Sequence, residues 1–246
     1  MRALGVLLLA WGLMSQARAD TLRLVTGNYP PYEYLENGRP RGLSVELLEE
    51  AFRRCHRAIR IEILPWARAL AETRSGHADA VFSTLKTPER EAELIFSDET
   101  LVALDSSLFI RRGAPVAYRG DLAALKGYAI GILNGTSSGP AFDAAVTSGA
   151  LPHVDRANDT ETNIRKLLAG RIDLMASDRY VALYYLRQAG LADRVEELAP
   201  PLRHDQSYLA FHRDARLFAV RSDVDSALAA MKKDGSYQRI VERYAH

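Results

Sequence analysis

The chain of 246 residues contains one cysteine, Cys55, so no internal disulfide can form. Its histidines (His56, His77, His153, His204, His212 and His246) are scattered, and none falls at metal-ligand spacing. There is no G-x-S-x-G elbow, G-x-G-x-x-G loop or P-loop, which removes the commonest hydrolase and nucleotide-binding signatures. No cofactor and no metal are called for. Neither sign of charge dominates, with 32 Lys+Arg against 31 Asp+Glu. Such an interspersed balance leaves no electrostatic footprint for nucleic acid or a membrane surface. After the first residues, no run is apolar over the roughly 20 positions a membrane-spanning helix needs.

What is present starts with a leader. Met1-Arg2 is positive, Ala3 to Met14 is almost wholly apolar, and Ala17-x-Ala19 is a small-x-small cleavage pattern. A signal peptide over 1–19 is expected, with the mature chain beginning at Asp20 and destined for the periplasm. Its removal takes away Arg2 and Arg18 and turns a formal charge of +1 into −1. No cysteine at the cleavage site offers a lipid anchor. The remaining length can bury one large core or two small ones.

The mature chain alternates between strand and helix. The pattern predicts strands at Leu22–Thr26, Ile59–Ile63 and Asp79–Ser83, with helices at Ser44–Cys55 and Trp66–Arg74 between them. Cys55 shares a helical face with Val45, Leu48 and Phe52, so it reads as a core residue. A second unit follows: a strand at Tyr128–Leu133, the turn Asn134–Ser138, a helix capped by Thr160, a strand at Ile172–Ala176 and a helix at Asp178–Ala189. A strand at Tyr208–His212 and helices at Asp223–Lys233 and Ser236–Tyr244 complete the chain. This is an α/β pattern with mostly parallel sheet in two lobes. The extended segments Ser106–Ile110 and Asp205–Phe211 are the natural crossovers. The first lobe is then discontinuous, 20–108 with 209–246, and the second is 109–208. A ligand would bind between them.

Several motifs occur in a telling order: Tyr29-Pro-Pro-Tyr-Glu33, Gly42-Leu-Ser-Val-Glu-Leu47, Gly76-His-Ala-Asp-Ala80, Thr87-Pro-Glu-Arg90, Gly131-Ile-Leu-Asn-Gly-Thr-Ser137, Gly170-Arg-Ile-Asp173 and Lys233-Asp-Gly-Ser-Tyr237. Together they resemble the family 3 extracellular solute-binding proteins, the polar-amino-acid receptors of ABC transporters. The resemblance implies a type II periplasmic-binding-protein fold, two α/β lobes joined by two hinge strands. It implies a monomer that closes on a small amino acid or related carboxylate and delivers it to an ABC permease. Arg90 takes the position of the arginine that grips the ligand carboxylate. Thr136 and Ser137 match the second-lobe turn that also binds it, and Asp178 matches the aspartate for the α-ammonium. Tyr29 and Trp66 fall at pocket positions, with Ser83 and Thr84 on the strand leading to the Thr87 turn.

The residues allow the same chemistry unaided. A free amino acid needs a cation and an anion a few ångströms apart, and the planar fork of arginine suits a carboxylate. Each candidate also has a plainer role. Arg90 fits a solvated surface run, Asp178 a helix N-cap, and Tyr29, Tyr32 and Trp66 ordinary core packing. Lys86 stands where the family has a small hydroxyl residue, and Arg68 follows Trp66 on its turn. Facing inward, they would select a second acidic group; facing outward, they are surface charges. Two other classes stay open. One is a cyclohexadienyl dehydratase, an enzyme of the same scaffold acting on prephenate or arogenate, with Glu33 or Asp178 as its acid. The other is a stand-alone ligand-sensing module.

Overall fold

A computed structural model of the protein describes residues 21–245 apart from Gly135. The expected signal peptide lies outside the described residues. In chain order the elements are β1 (Leu22–Thr26), β2 (Tyr34–Glu36), β3 (Arg39–Arg41), α1 (Leu43–Arg54), β4 (Ile59–Ile63), α2 (Trp66–Arg74), β5 (Ala80–Leu85), α3 (Pro88–Glu93), β6 (Leu94–Phe96) and β7 (Val102–Arg111). There follow β8 (Ile130–Leu133), α4 (Pro140–Thr147), β9 (Val154–Ala157), α5 (Thr160–Leu168), β10 (Leu174–Asp178), α6 (Arg179–Gln188), β11 (Val195–His212), α7 (Ala215–Lys233) and α8 (Ser236–Ala245).

One sheet runs through the molecule in the order β4-β1-β5-β11-β7-β10-β8-β9, with β6 also paired to β11. Its two ends are parallel: β1 with β4 and β5, and β8 with β9 and β10. Its centre is antiparallel, because β7 and β11 pair along most of their length. The parallel ends require helical crossovers, which place α1 and α2 on one half and α5 on the other. The two long strands carry the chain from one half to the other.

The core falls into clusters that largely follow the two halves, although Tyr180 and Val181 of α6 join the first. Leu24, Leu43, Leu47, Leu48 and Phe52 of the N-terminal third pack with Leu209, Phe211, Leu217, Leu228 and Met231 of the C-terminal tail. In the other half, Leu108, Ile110, Ile130, Phe142 and Leu174 form one cluster, and Phe109, Ile164, Leu167, Met175 and Leu186 another. Each such buried side chain contributes about 1.5–3 kcal/mol.

Some boundaries differ from the sequence expectations. β11 begins at Val195, not Tyr208, and takes in Pro200 and Pro201. It does so because its register against β7 slips between Leu198 and Arg203, and a bulge needs no ladder N–H from proline. The cap of α5 is Asp159, which accepts from Thr162 N at 2.6 Å, while Thr160 is the first helical residue and buried. α7 starts at Ala215 rather than Asp223, because Asp214 accepts from Arg216 N and caps it. The hairpin of β2 and β3 was not anticipated, although Asn37-Gly38 is a strong two-residue hairpin signal. Both turn residues have positive φ, 51° and 74°, as that turn requires. Cys55 is partly buried against the first core, and burial pushes its thiol up.

Candidate functional site

The segment after β1 enters the gap between the halves. Tyr29 N donates to Glu33 O at 2.7 Å and Glu33 N to Tyr29 O at 3.1 Å, closing Tyr29-Pro-Pro-Tyr-Glu33 into a tight turn. The Tyr29 ring stacks on Tyr32 with centroids 5.4 Å apart. Tyr29 is 42% exposed, and it lines two cavities, one on either side.

The larger cavity, about 840 Å³, belongs mainly to the first half. Trp66 at the start of α2, Pro65 and Leu64 form one wall, with Leu35 of the hairpin, Leu104 of β7, Glu33 and Ser83 around them. Arg90 lies near the Trp66 ring and does not itself line this cavity. Thr87 caps α3 and Pro88 opens it, so the helix starts abruptly beside the end of β5. Arg90 Nη1 donates to Thr84 Oγ1 and to Leu85 O, both at 3.0 Å, and its guanidinium lies 5.7 Å from the Trp66 ring centre. Among the described residues no carboxylate pairs with it. Burial, then Arg74, lowers its pKa. Thr84 is fully buried.

Ser83 is placed by a bulge. The β5–β11 register loses a step between Tyr208 and Ala210, and Ser83 adopts φ 56°. This left-handed conformation is uncommon for serine and costs about 1–3 kcal/mol. It directs the Ser83 hydroxyl to Glu33 Oε2 at 2.7 Å, with Ser44 Oγ 2.9 Å away. Glu33 is 3% exposed, and burial pushes its carboxyl up to about 8.

The smaller cavity, about 60 Å³, is lined mainly by residues with polar side chains and lies mostly on the second half. Asp178, Thr136, Ser137, Arg203 and Tyr29 line it. Asp178 ends β10 and caps α6: its Oδ1 accepts from Tyr180 N at 3.1 Å and Val181 N at 3.2 Å. The same oxygen accepts from Tyr32 Oη at 2.9 Å, a bond across the gap. Burial outweighs these bonds and raises its carboxyl to about 7. Thr136 Oγ1 donates to Leu133 O at 3.2 Å, and Ser137 Oγ donates to Asp143. Asp143 also accepts from Ser138 N at 3.1 Å, so a carboxylate of α4 already holds two donors of this turn.

The structure therefore brings Tyr29, Thr136, Ser137 and Asp178 around one cavity, and Tyr29, Trp66 and Ser83 around the other; Arg90 and Thr84 line neither, Arg90 lying against the Trp66 ring and bonded to Thr84. Arg68 and Lys86 line neither. Arg68 pairs with Glu72 one turn along α2, at 2.6 Å, and 65% of its side chain is exposed. Lys86 lies over the rings of Tyr208 and Phe96, at 4.8 and 5.6 Å from their centres. Arg68 thus takes the surface alternative in this structure, while Lys86 rests against aromatic rings outside either cavity lining. Sequence reasoning missed three features. Arg203, paired with Asp205 at 3.0 Å, was hidden by placing the strand too late. The Tyr32–Asp178 bond and the Ser83 bulge left no local signal.

A profile of bacterial extracellular solute-binding proteins, family 3, matches residues 22–246. The chain belongs to this family. The solute-binding protein is 29% identical over 175 residues to the lysine/arginine/ornithine-binding periplasmic protein of Escherichia coli, covering 68% of this chain and 64% of the relative. It is 23% identical over 224 residues to the histidine-binding periplasmic protein of Salmonella typhimurium, covering 88% and 84%. Its fold is that of substrate-binding domain 2 of Lactococcus lactis GlnP in the open conformation, with a TM-score of 0.77 at 19% identity over 92% of this chain and 96% of that one. The family and these relatives are binding proteins, not enzymes.

Proposed function

We propose that the protein captures a small amino-acid-like ligand in the gap and closes on it by bending β7 and β11. Support for this reading comes first from one arrangement: a guanidinium, with no carboxylate partner among the described residues, beside the Trp66 that lines one cavity, and a helix-capping carboxylate in the lining of the other. Arg90 takes the ligand carboxylate and Asp178 the α-ammonium, with Tyr29 and Trp66 as walls and Thr136 and Ser137 at the second-half rim. The lobes are 20–108 with 209–246, and 109–208. The switch between cores along β7, from Val102 to Leu108, and along β11, from Leu202 to Leu209, favours these limits.

Closure follows from where the contacts sit. A ligand that touches both halves does so fully only when the gap is shut, so it shifts the population toward the closed form. The closed form would be handed to an ABC permease, with the protein acting as a periplasmic monomer after loss of residues 1–19. The names of the relatives agree with an amino-acid ligand and a periplasmic location.

The test is calorimetry of the mature protein against the free amino acids. Arg90→Ala is expected to weaken the tightest of them by about 2–5 kcal/mol, the cost of breaking a buried charge pair. An unchanged affinity would defeat the role given to Arg90.

A further inference from the structure

The larger cavity has one carboxylate in its lining and no cation. Leu35, Leu64, Pro65, Trp66 and Leu104 make its walls apolar. Glu33 is set among them, 3% exposed, with hydroxyls for company. We propose that Glu33 is the subsite that reads the ligand's side chain, and that it selects an ammonium or guanidinium carried on an apolar stem. This deepens the amino-acid reading above and rests on it.

No base lines this cavity. Arg68 pairs with Glu72, Lys86 lies over Tyr208 and Phe96, Arg203 pairs with Asp205, and Arg90 is held by Thr84 and Leu85. A buried carboxylate without a cation is costly, and hydroxyl bonds offset only part of the cost. A ligand cation completes the pair, and its methylenes cover the apolar walls. An acidic side chain would instead be buried in apolar surroundings with no cation to pair with, and it would oppose ionisation of Glu33. The cavity is also far larger than an α-carbon with its two charged groups needs, which leaves room for a long side chain.

The proton balance supports the same assignment. With a carboxyl raised to about 8, the empty site holds its proton at neutral pH. The charge that faces it is Asp178 across the gap, which raises it further; Ser83 of β5 and Ser44 of α1 are neutral donors. When a cation arrives, Glu33 ionises and its proton passes to solvent.

The experiment compares free L-arginine with L-citrulline, its neutral counterpart of equal length, and L-lysine with L-norleucine. Titrations of the mature protein at pH 7 use two buffers of different ionisation heat. Wild-type protein is expected to prefer each cation by about 30-fold or more. Glu33→Gln keeps the shape of the side chain, and its fold is checked by its melting curve. It should level arginine with citrulline and remove close to one proton from the proton release on arginine binding. The wild-type comparison stands even if the variant does not fold. Citrulline or glutamate binding as tightly as arginine overturns the cation subsite and leaves the amino-acid reading intact. A preference for arginine that survives Glu33→Gln overturns the assignment to Glu33. Binding of no amino acid at all overturns both.

Discussion

Around Tyr29 the gap changes character. On the side of the second half, polar groups are fixed by the ends of regular elements: Asp178 by the start of α6, and Ser137 through Asp143 of α4. On the side of the first half, apolar loops and a strand bulge surround one buried acid. Element ends hold a charged group in place through backbone N–H donors that are there whatever the ligand. A bulge and loops hold a group only through tertiary packing, so they can vary while the fold stays. The contrast assigns the α-ammonium of an amino acid to the polar side and its side chain to the apolar side, with Arg90 beside Trp66 left for the carboxylate.

The largest expected effect tests the polar side. Asp178→Asn keeps an oxygen to cap α6 and accept from Tyr32, but removes the charge. Affinity for L-arginine should fall by about 3–5 kcal/mol in calorimetry, with little change in melting temperature. If citrulline and arginine fall by different factors, the two sides are not independent, and the contrast breaks.

A second test uses acid chemistry without ligand. Glu33 and Asp178 have folded pKa values near 8 and 7, above their ordinary 4.5 and 3.8. Acids shifted upward bind their protons more tightly in the folded state. Their stabilising effect is therefore complete below about pH 4 and is lost as the pH rises toward 8. Glu33 alone should cost the empty protein on the order of 3 kcal/mol between pH 5 and 8, and Asp178 a similar amount. Glu33→Gln should flatten that slope in denaturant melts, whereas a slope unchanged in the variant would place the titration elsewhere.

The smallest effect sharpens the polar side. The Ser137 hydroxyl is committed to Asp143, so Ser137→Ala should weaken L-arginine binding by less than about 1 kcal/mol. A loss as large as that of Arg90→Ala would mean that the hydroxyl turns from Asp143 to the ligand carboxylate on closure.

Local patterns carried much of this. Alternating Ile59, Ile61 and Ile63 marked β4, and the stop at Gly76 helped fix α2. Thr87-Pro88 set the start of α3 and thereby the place of Arg90, and Asp178 was legible as a cap. Such features depend on residues within a turn or two of each other. The limits of β11 were less legible, because Pro200-Pro201 reads as a break until β7 is there to pair on either side of the bulge.

By itself the amino-acid order determined where most of the strands and helices fall, which faces are apolar, and which charged residues sit at several element ends. It did so because periodicity and capping act over a few residues. Only the folded chain decided that Tyr32 reaches Asp178 across the gap, that Arg68 pairs with Glu72 while Lys86 lies over Tyr208, and that Ser83 bends toward Glu33. Those outcomes join positions from Glu33 to Ser83 and from Tyr32 to Asp178, and burial of one against the other, absent from any local window, sets their charge.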